Sequence, residues 1–374
     1  MLAAIIAPFH WRRTVMTENW TGGLEPELDF MFPSRPEDPE MRESASIWLF
    51  EENGAFALPR VGIEAVGNVW DRHRYDMNVA FADGRVLRES KVGQTVPAVG
   101  DDGKADALGT DQLIFRCLEP FRRWHLSYQG ECWEGTVEEQ IRNEFGAYVE
   151  SARNMGLEGR ARVPVAFEAD LTMAAPAWTQ DYRTEKLDGM TERERADAGS
   201  MGYGYRIEQL FRGEGWLEVG GERRAFRAVG SRIHRQSVRP MGAFRGHCWQ
   251  SAQFPDGRGF AYIAYPPLAG EAPEDTYNNG YVYRDGKWAV AKARQIPFLR
   301  QVMPRGDDVS VELESELGIA RIAGSTVNST FHMGNPGVNG FNNQQGGVRY
   351  TWDGLETYGM IERSSPGELC SIKP

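Results

Sequence analysis

The chain predicts an all-β fold with few helices, built from two copies of one β unit. Turn dipeptides that accept positive φ recur along its length: Asp-Gly at Asp83, Asp102, Asp188, Asp256, Asp285 and Asp353, and Asn-Gly at Asn53, Asn279 and Asn339. These are the strongest short-range hairpin signals. Short alternating apolar and polar runs lie between them. The pentapeptide Phe81-Ala82-Asp83-Gly84-Arg85 also returns as Phe254-Pro255-Asp256-Gly257-Arg258. Each copy follows an aromatic-containing strand and precedes an apolar one, as a duplicated unit would arrange.

In chain order, Arg74 to Phe81 leads into the turn at Asp83 and Val86 leads out. Trp124, Leu126 and Tyr128 alternate with Arg123, His125 and Ser127, as in a half-buried strand. Thr136 with Glu139 forms a capping box ahead of Val137, Ile141 and Phe145, predicting one amphipathic helix over 136–155. Val163, Val165, Phe167 and Ala169 form the next strand, which turns Glu168 and Asp170 to solvent. Thr184 to Gly199 is polar and lacks an apolar face, predicting a linker or exposed helical excursion between the copies. Gln253-Phe254 and Phe260 to Tyr265 flank the second copy of the turn, and a Gly/Asn-rich loop is expected from His332 through Gly347. The expected division is an N-terminal extension over 1–27, a first domain over 28–190 and a second over 191–374. A length of 374 residues suits two domains.

Composition narrows the function. The chain is 41% apolar and 25% charged, which excludes a disordered polymer. No run of eighteen apolar residues predicts an integral membrane segment. With 42 Lys plus Arg against 53 Asp plus Glu, the net charge of −11 disfavours a nucleic-acid partner. The apolar start Met1 to Pro8 lacks a charged flank and a cleavage site, so a cytoplasmic protein is expected, with Met16 as an alternative start. Cys117, Cys132, Cys248 and Cys370 show no metal-ligand spacing, so no metal is expected. Serine-hydrolase, P-loop, zincin and dinucleotide fingerprints are missing, so no cofactor is expected either.

Tyr205 to Arg258 resembles the second half of the family of hydroxyneurosporene synthase-type carotenoid hydratases and AttH-like proteins. The matching positions are Glu208-Gln209, Gly215-Trp216-Leu217-Glu218-Val219-Gly220-Gly221, Arg232-Ile233-His234, Arg239 and Phe254 to Gly257. Leu118-Glu119-Pro120 with Trp124 and Gly130 resembles a strand of the first half, and Val348 to Arg363 the closing hairpin. The resemblance implies two tandem lipocalin-like β-barrels whose cavities, or the interface between them, hold an elongated or polycyclic apolar ligand. It also implies proton chemistry on isoprenoid or steroid-like substrates. Ile233 stands where the family carries an acid, and Arg235-Gln236-Ser237 replace its Ser-Trp-Gly.

Four groups carry the expected chemistry. His234, sharing a strand face with Arg232, is an acid–base candidate because imidazole titrates near neutrality. His247 and Trp249 alternate, so both are expected to point into one barrel. There the indole would steady a developing carbocation by cation–π attraction. Asp71 and His73 share a face at period two and form a second acid–base pair beside Trp70. Trp70, Trp249, Tyr265, Arg232 and Arg239 are expected to bind substrate. His125 is expected to face outward, and Glu362 to pair with an arginine rather than react. The expected function is a cofactor-independent hydratase, dehydratase or isomerase. The alternative is a carrier that binds the same hydrophobic ligand unchanged. The expected partners are a small apolar substrate and, as an open option, a second copy in a homodimer.

Overall fold

The computed structural model describes residues 19–145, 156–240, 244–271, 276–334 and 340–372. The first strands are β1 (Arg42–Glu51), β2 (Phe56–Val66), β3 (Arg72–Phe81), β4 (Arg85–Gln94), β5 (Ala107–Gly109), β6 (Leu113–Glu119) and β7 (Arg123–Thr136). There follow helix α1 (Val137–Ile141), β8 (Arg162–Met173), β9 (Trp178–Asp181), helix α2 (Glu192–Met201), β10 (Tyr203–Val219) and β11 (Glu222–Val238). Neighbours run β4-β3-β2-β1-β11-β10-β8-β7, and β7 pairs again with β4, from Arg85↔Thr136 to Arg88↔Trp133. The ring is therefore an eight-stranded up-and-down barrel, with β5, β6 and β9 attached at its margin.

The second barrel is formed by β12 (His247–Gln253), β13 (Gly259–Ala264), β14 (Asn278–Arg284) and β15 (Lys287–Arg294), then, after the short β16 (Gln301–Val302), by β17 (Val311–Ser315), β18 (Gly318–His332), β19 (Phe341–Trp352) and β20 (Leu355–Pro366). A two-residue β21 (Ser371–Ile372) pairs with β16. Closure of both rings leaves no long unpaired edge. No helix among the described residues is long and apolar enough to cross a membrane.

The turn dipeptides place much of this. Asn53, Asp83, Asp256, Asp285 and Asp353 each turn a hairpin between paired strands. Asp285-Gly286 and Asp353-Gly354 have φ of 54°, 71°, 49° and 80°, the left-handed pair that a two-residue hairpin requires. Asn279-Gly280 instead runs inside β14. The capping box forms, with the Thr136 hydroxyl accepting from the Glu139 N–H, but α1 stops at Ile141; residues 146–155 of the expected helix lie outside the described residues.

Two expectations change. The polar stretch from Thr184 does not separate the barrels; it lies between β9 and β10 and supplies α2. Strands β10 and β11, beyond the expected boundary at 190 and 191, close the first barrel through β1, from Arg42↔Ser237 to Glu51↔Ala228. The chain passes to the second barrel between Val238 and His247.

Both interiors are packed. Ile47, Leu49, Phe56, Leu58, Phe115, Leu126 and Phe167 fill the first, and Phe254, Phe260, Tyr262, Leu313, Tyr350 and Ile361 fill the second. A third apolar cluster joins the outer faces, where Trp48 and Ile233 meet Trp249, Ile263 and Met360. The joint uses the residues that alternate with the interior ones on β1, β11, β12 and β20.

Candidate functional site

A cavity of about 430 Å³ lies between the barrels, not within either. Of the two expected locations, a barrel cavity or the interface between barrels, the space takes the second: side chains occupy both interiors, and it remains where the two convex walls part.

The register builds the walls. On the first barrel, Asp76, Gly62, Ser46 and Ile233 form one cross-strand row, and Arg74, Glu64, Ser44, Arg235 and Arg206 the next. On the second barrel, Ile263, Trp249 and Glu362 stand side by side, with His247 beside Ser364 in the neighbouring row. Ser200 and Met201, at the end of α2, cover part of the opening. A bulge in β2 puts Arg60 at φ 66°, an uncommon conformation for a residue with a side chain. Asn78 Nδ2 holds its carbonyl at 2.9 Å, and Arg60 Nη1 reaches Asp76 at 3.7 Å.

The imidazole on the cavity wall is that of His247. Its Nε2–H donates to Glu362 Oε1 at 3.2 Å, and its Nδ1 accepts the Ser364 hydroxyl at 2.7 Å. This tautomer follows from the partners, since a carboxylate cannot donate. Gln345 Nε2 donates to the other Glu362 oxygen at 2.9 Å. Burial pushes the Glu362 carboxyl up, but the hydrogen bond from His247, with Arg60 and Gln345, brings it below its ordinary value. It is therefore an ionised carboxylate beside an imidazole, able to steady an imidazolium. Burial likewise raises Asp76, and Arg74, Arg60 and the Ser90 hydroxyl outweigh that, so it too is ionised.

Trp249 lines the same cavity. Its Nε1–H donates to Glu208 at 3.1 Å, its ring meets the edge of Trp48 at 4.7 Å, and the Arg206 guanidinium sits over its face at 4.7 Å. That guanidinium occupies a face the sequence had reserved for a carbocation. Tyr265, stacked on Tyr277 at 4.8 Å, and Arg239 also line the cavity. Burial, followed by the charges of Arg239 and Arg206, pushes Arg235 well below its ordinary value.

The other expected residues lie elsewhere. Arg232 and His234 share a face, but it is the interior face of the first barrel. Arg232 forks onto Asp29 at 2.7 and 2.8 Å. His234 Nε2 lies 3.1 Å from Glu43 Oε1, and its Nδ1 is 3.7 Å from Asp29, an ion-pair separation longer than a hydrogen bond. Trp124 tilts against the imidazole, and Arg232 lies over the Trp124 ring. This is a buried clamp for the segment carrying Asp29. Asp71 is exposed in the turn before β3, whereas His73 is buried with Nδ1 3.1 Å from the Gly109 carbonyl, so strand period does not extend back to Asp71. Trp70 packs against Phe32 and His73, away from the cavity. His125 faces outward beside Asp170 at 2.9 Å. Glu362 pairs with His247 rather than with an arginine. Sequence reasoning missed Ser364 and Arg235 as lining residues; the alternation of Glu362 and Ser364 with Ile361 and Arg363 was the available signal. Among the described residues no cluster of three or more His, Cys, Asp or Glu side chains could hold a metal ion.

A family model described as "Domain of unknown function (DUF7064)" matches residues 25–367, nearly the whole chain. The chain belongs to that family. A search of curated proteins finds no match. Among solved structures it is similar to CghA with Sch210972, with TM-score 0.53 and 11% identity over 88% of this chain and 89% of that one. An AttH-like protein from Nitrosomonas europaea gives 0.49 and 13% over 87% and 92%. Kievitone hydratase from Nectria haematococca gives 0.46 and 10% over 93% and 96%. At 11% identity the likeness to CghA is one of fold alone, and the two closed rings are the double lipocalin-like barrel expected from the motifs.

Proposed function

We propose that this DUF7064 member is a hydratase, dehydratase or double-bond isomerase acting on a largely apolar substrate in the inter-barrel cavity. The observation that carries the reading is the buried His247–Glu362 pair, closed by Ser364, at the wall of a pocket also lined by Trp48, Trp249, Ile63, Ile233 and Ile263. The indoles and aliphatic side chains bind the hydrocarbon body. His247 moves the proton, and Glu362 compensates the imidazolium while it exists. In the hydration direction, on an alkene conjugated to a carbonyl group, a proton passes from water through the Ser364 hydroxyl to His247 Nδ1 as the water oxygen bonds to the β-carbon. The alkene electron pair shifts onto the carbonyl oxygen, and when it returns, the α-carbon takes the proton back from His247 by the same path. Isomerisation uses the same pair without water. The chain's own side chains supply this chemistry.

The test is turnover of a panel of isoprenoid and steroid alkenes and alcohols in deuterated water, read by mass spectrometry. Deuterium uptake or a mass change of one water is expected with the wild-type protein. His247→Gln, which keeps the shape and loses the basicity, is expected to lower kcat by about 10²–10⁴. Unchanged turnover in that variant removes His247 from the mechanism. Saturable binding with no change in any compound favours the carrier instead.

A further inference from the structure

Six arginines and three carboxylates line the cavity of a protein whose net charge is −11. The carboxylates are engaged: Glu64 with Arg42 at 3.4 Å, Asp76 with Arg74 at 3.5 Å and with Arg60, and Glu362 with His247. Arg206, from the same wall, is matched by Glu208 at 2.7 Å and by the Gln180 side-chain oxygen at 3.1 Å.

Arg235 is not matched. It is 9% exposed, lines the cavity, and among the described residues makes no ion pair; its Nε has no hydrogen-bond partner. Its cross-strand neighbours are Ser44 on one side and Arg206 on the other. A guanidinium does not shed its proton in a protein, and burying one without a counter-charge is costly. The apolar floor of Ile233 and Ile263 beside it lowers the local dielectric and strengthens its pull on an anion.

We propose that Arg235 is the receptor for an anionic oxygen group, of carboxylate type, on the substrate. This rests on the reading of the cavity as a substrate site and narrows it: the substrate is an apolar body with an acidic head, not a neutral hydrocarbon. Arg206 and Arg239, from the same wall, add attraction, while the aromatic and aliphatic side chains take the body. A positive wall also opposes a carbocation and favours a reaction in which negative charge builds on substrate oxygen.

The experiment is calorimetric titration of the full chain with two matched pairs of probes, 1-naphthaleneacetate against 1-naphthaleneacetamide and farnesoate against its primary amide. Each carboxylate is expected to bind at least about tenfold more tightly than its amide, as a charge-assisted contact implies. Arg235→Gln is expected to bring the two members of a pair within about twofold. That substitution removes an unmatched buried charge, and a thermal melt checks the fold. The wild-type comparison needs no variant. Equal affinities within both pairs, binding of neither carboxylate at millimolar concentration, or an undiminished preference in folded Arg235→Gln overturns the proposal. Binding and turnover separate the two ideas. Turnover of neutral alkenes without anion preference defeats only the head-group assignment, and anion preference without turnover of any compound defeats only the enzyme reading.

Discussion

Replacing Asp29 by Asn tests the buried clamp under the first barrel. Both Asp29 oxygens are occupied: Oδ1 by Arg232 Nη1 at 2.7 Å, and Oδ2 by Arg232 Nη2 at 2.8 Å, the Phe121 N–H at 2.6 Å and the Trp124 Nε1–H at 3.2 Å. Asn can offer its one oxygen to the Oδ2 site, where three donors converge. Its amide group then faces Arg232 Nη1, donor against donor, and Arg232, itself 1% exposed, keeps neutral acceptors on Nη2 and Nε, among them the Gln209 oxygen at 2.8 Å and the Met173 sulfur at 3.2 Å, but no counter-charge from this residue. One charge-assisted hydrogen bond is lost, at about 1.5–3 kcal/mol. With the stranded charge included, the expected loss is about 3–5 kcal/mol, a large part of a typical domain's stability. Urea titration followed by tryptophan fluorescence measures this as a lower midpoint at unchanged slope. A loss below about 1 kcal/mol would refute the claim that Asp29 compensates Arg232. The same network sets a pH dependence. Burial raises the Asp29 carboxyl, but Arg232 and His234 bring it below 3.8, so its stabilisation is present above that value and fades as pH falls through the lower folded value. Burial lowers His234, but the carboxylates of Asp29 and Glu43 raise it above 6.5, so its stabilisation is full below 6.5 and fades as pH rises through the higher folded value. The urea midpoint of the wild type should therefore drop on both sides, and Asp29→Asn should lose the acid-side contribution of this carboxyl.

Gly230→Ala should destabilise by about 1–3 kcal/mol, because a Cβ there would lie 2.1 Å from the Trp48 carbonyl and push β11 away from β1, the strand that presents Trp48 to the cavity; an unchanged thermal midpoint would contradict that contact. Thr136→Ala removes the capping hydroxyl of α1 and should cost about 0.5–2 kcal/mol, read by denaturant titration, with Thr136→Ser restoring most of it.

The sequence spoke clearly about where strands turn and about which residues share a face. Arg232 does sit with His234, and His247 with Trp249. It was silent on which side of the wall each face would be. Alternation reports that two faces differ, and here both faces of β1 are covered, by Ile47 and Leu49 within and by Trp48 and Phe50 between the barrels. An imidazole between two buried carboxylates and one at a pocket wall therefore look alike in one dimension. The repeated pentapeptide marks hairpins in separate barrels, but they are not equivalent ones. Phe81–Arg85 joins the third and fourth strands of its ring, and Phe254–Arg258 the first and second. The shared letters thus reflect a common turn chemistry more than common descent of that turn. Ser364 stayed hidden, and Glu362 was given the wrong partner, because the meaning of both depends on His247, more than a hundred residues earlier, which only ring closure through β12 and β20 brings alongside.

The alternation of Trp48 with Ile47 and Leu49 has an evolutionary consequence. Because the pocket is cut into the outer surfaces of two rings, its lining residues are largely not the ones that hold either ring together. Ser44, Ser46 or Tyr265 can be exchanged by mutation while the packed interiors stay as they are. Such an architecture can try new substrates with little loss of foldability, and relatives of this shape can diverge in chemistry long after their barrels have stopped changing.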